Sequence, residues 1–504
     1  MPTNTTTVLC LLFAAATAGA QYVPPAPALP VPGVIDDLLR KSDPAMKAWD
    51  IGVNLRLRGD NKDDAGTTHA GSNFDFDAAS PTANSNSYFL SRLLVRAGYA
   101  GDWVSAAAAA RSSYSFSDNR YNATAAGKGL TESDGPVQLE YAYLQFGNLK
   151  KFPLLVKVGR QELAYGEQRL IGASYWLNVP HTFDALKVRY QNPSFGVDLF
   201  TSSLVYTDNS GHFDQSNGQD MLSGVYVDFA GLSQKCLVET YLFSRNVARG
   251  IVTDDWSQVP APFRFTAPQD LYTLGFRAKS KPAAYGPWDY GVELMWQSGT
   301  RTAVYPATTV AAAKAAPRLD QNAWAFVAQG GYSWTASPGK PRLALIVSGA
   351  SGDNNATDHD SRTFQNLLPS NHGLYGAMDL SGLQNLIDYR LSFSVRPAPA
   401  LSLAVDLHQQ YLESTNDSWY NVAGVPRATA GATPGSGRGY GVNPNYSADL
   451  GRELDLIGGW SVAKGLLLEA GLGHFFRGPY VKESFRAIGS RDASYCYLQA
   501  TLNL

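Results

Sequence analysis

The chain has 504 residues, a formal net charge of −2, 17% charged and 12% aromatic residues, and 47 glycines. A charge balance this close to zero excludes the broadly basic surface of a nucleic-acid protein. No run approaches the ~18 consecutive apolar residues of a spanning helix, and nothing after the first fifty residues reads as an interdomain linker, so one large β domain is expected.

The chain opens with an apolar stretch from Val8 to Ala16, followed by the small residues Ala18, Gly19 and Ala20 before Gln21. This pattern predicts a secretory signal peptide over residues 1–20, although Met1 to Thr7 carries no Lys or Arg. Cys10 falls inside that segment, which leaves Cys236 and Cys496 far apart and read as two unpaired thiols. Residues 21–47 are proline-rich, with a short acidic-amphipathic piece from Val34 to Lys41, and are expected to form a flexible periplasmic lead-in. Residues 48–504 are read as the membrane domain.

From Trp49 onward the dominant signal is a period of two. Trp49, Ile51, Val53, Leu55 and Leu57 alternate with Asp50, Asn54, Arg56 and Arg58. A strand of about ten residues with one apolar and one charged face fits a tilted transmembrane strand between lipid and water. After a long polar loop from Gly59 to Ser87, Leu93, Val95, Ala97 and Tyr99 oppose Arg92 and Arg96, and Trp103 to Phe116 places Arg111 in phase with Ser113 and Ser115. The same rule predicts strands at Val137 to Gly147, Leu154 to Tyr165, Phe183 to Gln191, Phe195 to Tyr206, Met221 to Phe229 and Cys236 to Arg245. It continues at Gln269 to Lys279, Trp288 to Gln297, Ala323 to Trp334 and Arg342 to Ala350.

The clearest unit runs from Ile387 to Leu407. Ile387, Tyr389, Leu391, Phe393 and Val395 share one face, and after Pro397 to Ala400 the alternation restarts with Leu401, Leu403, Val405 and Leu407, which reads as a hairpin. Arg452 to Ser461, Gly465 to Phe476 and Ser494 to Leu504 complete a set of about eighteen strands. Short links (Gly101-Asp102, Asn192 to Ser194, Pro397 to Ala400, Val462 to Lys464) alternate with long ones (Gly59 to Ser87, Asn246 to Pro268, Ser351 to Asn385, Glu413 to Gly451). Short periplasmic turns and long extracellular loops produce that alternation, so an all-β, closed antiparallel transmembrane barrel in the bacterial outer membrane is expected. Trp288, Tyr290, Trp296, Trp324, Tyr332 and Trp334 sit on the lipid phase near strand ends, where amphipathic rings favour the headgroup level.

Several motifs, in order, carry a resemblance. Val158-Gly159-Arg160-Gln161-Glu162-Leu163-Ala164-Tyr165-Gly166-Glu167-Gln168-Arg169-Leu170-Ile171-Gly172, then Trp176, Asn178 and Phe183-Asp184, resemble the alginate export porins of bacterial outer membranes. So do Ser351-Gly352-Asp353, Thr363-Phe364 through His372, Tyr375-Gly376-Ala377-Met378-Asp379, Asp417 to Asn421, Glu453-Leu454-Asp455 and His474 to Gly478. The resemblance implies a monomeric eighteen-stranded barrel through which an anionic polyuronate leaves the periplasm past Arg and Lys side chains. Gating by loops and turns and contacts with periplasmic secretion partners are implied with it. Fold does not fix cargo, so uptake of other anionic sugars is a parallel expectation.

Strand parity turns Arg56, Arg58, Arg92, Arg96, Arg111, Lys187, Arg189, Arg277, Arg390 and Arg396 toward the lumen. Asp50, Asp198, Glu293, Asp388, Asp406, Glu453, Asp455 and Glu469 accompany them. The first three strands then carry five arginines against one acid, which predicts a positive wall that favours anions. The rival expectation is a solvated, self-neutralised interior. Arg160 falls on the outward phase, which requires a bulge or a position at the extracellular end; with Glu162, Glu167 and Arg169 it is expected either in a loop at the pore mouth or in a structural ion-pair network. Asp353, Asn355, Asp358 and Asp360 are weak candidates for Ca²⁺, because their spacing departs from a helix-loop-helix site.

Two other function classes follow from the same residues. An outer-membrane barrel enzyme would need a catalytic constellation, but no Gly-x-Ser-x-Gly elbow or metal-ligand His pair occurs and the seven histidines lie mostly between strands. No cofactor is expected. An uptake porin for small organic anions or oligosaccharides would share the same lumen chemistry.

Overall fold

The computed structural model describes residues 33–63, 76–78, 85–118, 132–206, 213–248, 251–252, 265–266, 268–302, 311, 315–427 and 435–504. The expected signal peptide lies outside them. Eighteen long strands form the wall. They are β1 Trp49–Asp63, β2 Asn86–Ala100, β3 Val104–Phe116, β4 Asp134–Gly147, β5 Leu154–Gln161 and β6 Phe183–Gln191. Next come β7 Gly196–Tyr206, β8 Gln215–Asp228, β9 Cys236–Val247, β10 Gln269–Ser280, β11 Trp288–Thr302 and β12 Arg318–Ser333. The last six are β13 Arg342–Ala350, β14 Leu386–Ala398, β15 Leu401–Tyr411, β16 Asp449–Ala463, β17 Leu466–Arg477 and β18 Ala493–Asn503.

Each strand pairs antiparallel with its neighbours, and β1 pairs with both β2 and β18, which closes the barrel. Closure leaves no unpaired edge in lipid, where each unsatisfied backbone group would cost several kcal/mol. Alternation then does the sorting. Leu391 and Phe393 are exposed on the outside of β14, whereas Asp388 on the opposite phase is buried. Trp288, Tyr332 and Trp334 form consecutive edge-to-face contacts, with centroids 4.8 and 4.9 Å apart, at the end of the wall where the short turns lie. Trp296 and Trp324 face each other across β11 and β12 nearer the other end.

The barrel is not an open tube. Three connections fold back into it: residues 162–182 after β5, 351–385 after β13 and, after β15, the described stretches 412–427 and 435–448. The interior apolar cluster includes Leu163, Leu170 and Ile171 from the first, Phe364, Leu368, Tyr375 and Met378 from the second, and Trp419 and Tyr440 from the third. The first two loops are joined backbone to backbone: Leu368 N–H donates to Leu170 O at 2.9 Å, Gly172 N–H to Leu368 O at 2.9 Å and Ser370 N–H to Gln168 O at 2.8 Å.

The lead-in expected to be flexible is partly helical: α1 spans Val34–Ser42, followed by a 3-10 turn Pro44–Ala48. Asp36 and Asp37 in its first turn and Arg40 and Lys41 in its last complement the helix dipole. β1 runs beyond the end of β18, so its first residues lack ladder partners on that side. Asp36 accepts the Ile51 N–H at 2.8 Å, and Arg40 donates to Trp49 O at 2.9 Å. The helix thereby completes the seam of the barrel. Another difference concerns β5, which stops at Gln161 rather than Tyr165. From Glu162 the chain leaves the wall and enters the lumen.

Candidate permeation pathway

The five arginines of the first three strands face the interior, but they do not form one bare positive wall. Arg58 pairs with Asp60 at 2.8 Å. Arg111 is surrounded by Glu140, Asp134 and Asp214 at 2.5, 2.7 and 3.4 Å. Arg96 reaches Asp50 at 3.3 Å and lies across Gly52, where an added Cβ would sit 2.5 Å from the guanidinium carbon. Among the described residues no carboxylate is within ion-pair distance of Arg56 or Arg92. Both donate instead to backbone carbonyls of the first inward loop.

Arg160 remains on the outward phase. Its register partners are Ala142 and Asp184, and it forms a two-pronged bond with Asp184 at 2.9 and 3.1 Å. Its place at the end of the eight-residue β5 keeps this charge near the rim, so Arg160 does not belong with the lumen set. Arg169 is buried in the interior, where it meets the Tyr375 hydroxyl at 3.1 Å, Glu167 at 3.0 Å and Glu293 at 3.4 Å. It acts as a strut between the two joined loops and the wall.

The half of the lumen nearer the short turns stays solvent-accessible. Lys187 and Arg189 on β6 share Asp198 at 3.4 and 3.0 Å, and Arg189 also reaches Asp228 at 2.7 Å. Across the lumen Arg342 pairs with Asp289 at 2.5 Å and Arg390 with Asp406 at 2.6 Å. Arg277 pairs with Glu239 and Lys279 with Glu167. Several of these pairs are layered. Arg342 and Arg390 are 21% and 20% exposed, whereas Asp289 and Asp406 are 1% and 5% exposed. Lys187 and Arg189 likewise stand in front of a buried Asp198. In these pairs the cation is the more exposed partner and the carboxylate the more buried one. Arg396 adds an exposed cation on the same phase near the turn to β15.

The remaining acids serve other ends. Glu453 and Asp455 on β16 accept the N–H groups of Met378 and Ala377 at 2.7 and 3.0 Å, which holds the second inward loop. Thus two of the sequence motifs, Tyr375 to Asp379 and Glu453 to Asp455, meet as a single clamp. Asp388 accepts from His408 Nδ1 at 2.9 Å within a fully buried pair. Glu469 is bonded by Gln499 at 2.7 Å. In the outer part of the 351–385 loop, Asp353, Asp358 and Asp360 converge on the Arg362 guanidinium at 3.9, 2.9 and 2.5 Å. A cation already occupies the place where Ca²⁺ would be needed. Arg362 holds the Asp358 carboxyl below its ordinary range, mainly through their hydrogen bond.

Sequence parity missed Asp60, Asp134, Glu140, Lys157, Asp289 and Arg342. Asp60 had a usable signal, since it shares the parity of Arg58 two residues earlier. Glu140 did not: bulges at Ala109/Ala110 and Arg111/Ser113 break the register between β3 and β4. Lys157 faces the lumen with its ammonium 3.6 Å from the Tyr143 ring centroid.

No curated protein matches the sequence. Among solved structures, OpdQ of Pseudomonas aeruginosa is similar with a TM-score of 0.51 at 10% identity, over 91% of this chain and 98% of that one. OpdK of Pseudomonas aeruginosa, in its structure with vanillate, gives 0.51 at 11% identity over 90% and 98%. A BenF-like porin from Pseudomonas fluorescens Pf-5 gives 0.50 at 11% identity over 90% and 99%. Identities this low carry the fold alone, that of an outer-membrane porin. The profile of the alginate export family matches residues 52–492, nearly all of the barrel, and this outer-membrane chain therefore belongs to the alginate export family.

Proposed function

We propose that the chain is a porin for anionic sugars, with a polyuronate as its favoured cargo, and that it works as a passage rather than an enzyme. The observation that carries this reading is the layering of the open half of the lumen, with Lys187, Arg189, Arg342 and Arg390 in front of buried carboxylates. Fixed cations in a water-filled constriction attract carboxylates, while the acids behind them limit how long each carboxylate stays. Family membership supports the polymeric cargo. The inward loops favour a second reading, uptake of small organic anions, because they narrow the extracellular half.

Single-channel recording with added sugars tests the proposal. An oligouronate should produce transient current blockades at concentrations where a neutral oligosaccharide of equal length does not. Equal blockade by both would remove the case for an anionic sugar. Blockade only by a small aromatic carboxylate would favour the second reading.

A further inference from the structure

We infer that Arg56, Arg58 and Arg92 are positioning residues that set the size limit of the pore. They hold the segment Tyr175 to Asn178 across the lumen and are not themselves the charge filter. This rests on the porin reading above.

Three consecutive carbonyls of the loop turn toward the β1–β2 wall. Arg56 donates to Tyr175 O at 2.6 Å, Trp176 O at 3.2 Å, Leu177 O at 3.0 Å and the Asn178 side-chain oxygen at 3.1 Å. Arg58 donates to Trp176 O at 2.8 Å, and its guanidinium lies 3.8 Å from the Trp176 ring centroid. Arg92 donates to Tyr175 O and Leu177 O, both at 3.3 Å. The planar fork of arginine suits this task, because one side chain bonds several acceptors at fixed angles and lysine cannot.

Asn178 fastens the far end. Its side-chain N–H groups donate to Ser91 O, Tyr114 O and Glu132 O at 3.0, 3.2 and 2.8 Å, and Ser113 donates to its carbonyl at 2.7 Å. Parts of four strands or their flanks thus pin one tetrapeptide. The side chain this places in the passage is Tyr175, which is 48% exposed although it lies inside the barrel. Guanidinium donors spent on carbonyls are not offered to a passing anion. The contribution of these arginines to permeation is the position of the loop.

The test is a planar-bilayer comparison of wild type with R56Q/R92Q, reading single-channel conductance, the exclusion limit for neutral polyethylene glycols, and the reversal potential. Release of the segment should raise conductance at least twofold and admit larger polymers while the sign of selectivity stays the same. R56K/R92K, which keeps charge and loses the fork, should widen the pore in the same direction. If the double variant does not insert, R92Q alone removes only the two 3.3 Å bonds and must shift the exclusion limit the same way. Unchanged conductance and exclusion limit with an altered selectivity sign would overturn the inference and make these arginines the filter. A wild type with no conductance at all would instead defeat the porin reading.

Discussion

Gly376 and Glu453 are in direct apposition: a Cβ on Gly376 would lie 2.5 Å from the Glu453 carboxylate. The glycine also has φ +105°, a conformation that L side chains rarely adopt. This contact lets the next two amides, of Ala377 and Met378, reach Asp455 and Glu453. Gly376→Ala should therefore detach the second inward loop while leaving the wall intact. The measurement is limited proteolysis of the purified barrel: new cleavage within 351–385 is expected, with unchanged β-sheet circular dichroism. Cleavage like that of wild type would show that the clamp tolerates a Cβ.

A pH effect follows from Glu162, which leaves the wall where β5 ends. Burial pushes its carboxyl above the ordinary range, and Glu140 adds to this, against a Tyr175 hydrogen bond and the charges of Lys157 and Arg92. Above that raised value the lumen carries one more negative charge, and as pH falls through it the charge is lost. Anion current should rise on acidification through this step, and Glu162→Gln should abolish it. A pH profile that is identical in the variant would assign the titration elsewhere.

The exposed cations of the open half should control selectivity. Lys187 can be removed safely because Asp198 keeps Arg189 at 3.0 Å. Each such charge is worth on the order of 1 kcal/mol to a contacting carboxylate in the water-like limit, and less as salt rises. The double substitution Lys187→Gln, Arg396→Gln should move the reversal potential toward cations at low ionic strength, with a normal exclusion limit. No movement would place the selectivity in another part of the lumen.

The N-terminal helix should matter to stability, since Asp36 caps an amide of β1 that has no strand partner on the β18 side. Asp36→Ala leaves that N–H unsatisfied at a cost of roughly 1–3 kcal/mol. The temperature at which the barrel loses its compact gel mobility should fall, and Asp36→Asn, which keeps an acceptor, should fall less. Equal behaviour of both variants would mean that charge, not the cap, is what counts.

The wall was legible in the sequence because the membrane imposes a strict period of two. Phe183–Gln191 and Arg342–Ala350 begin and end where alternation begins and ends, and the face of Ile387 to Val395 follows from the same rule. The inward loops were not legible, since Glu162 to Thr182 has no period and its partners are remote: Arg56 and Tyr175 are 119 positions apart. Charge bookkeeping failed for a related reason. Asp134 and Glu140 neutralise Arg111 across a bulged register, which parity counted from a uniform strand cannot follow. Arg160 is the opposite case: its outward parity was plain, and the two-pronged bond to Asp184 explains how it is tolerated.

The open lumen should select anions. The most direct test is the reversal potential of the unmodified protein in a planar bilayer under a KCl gradient, at low ionic strength where screening is weakest. The layered cations predict a potential with the sign of chloride selectivity. A potential with the sign of potassium selectivity, or one of zero, would mean that the layered cations do not select anions.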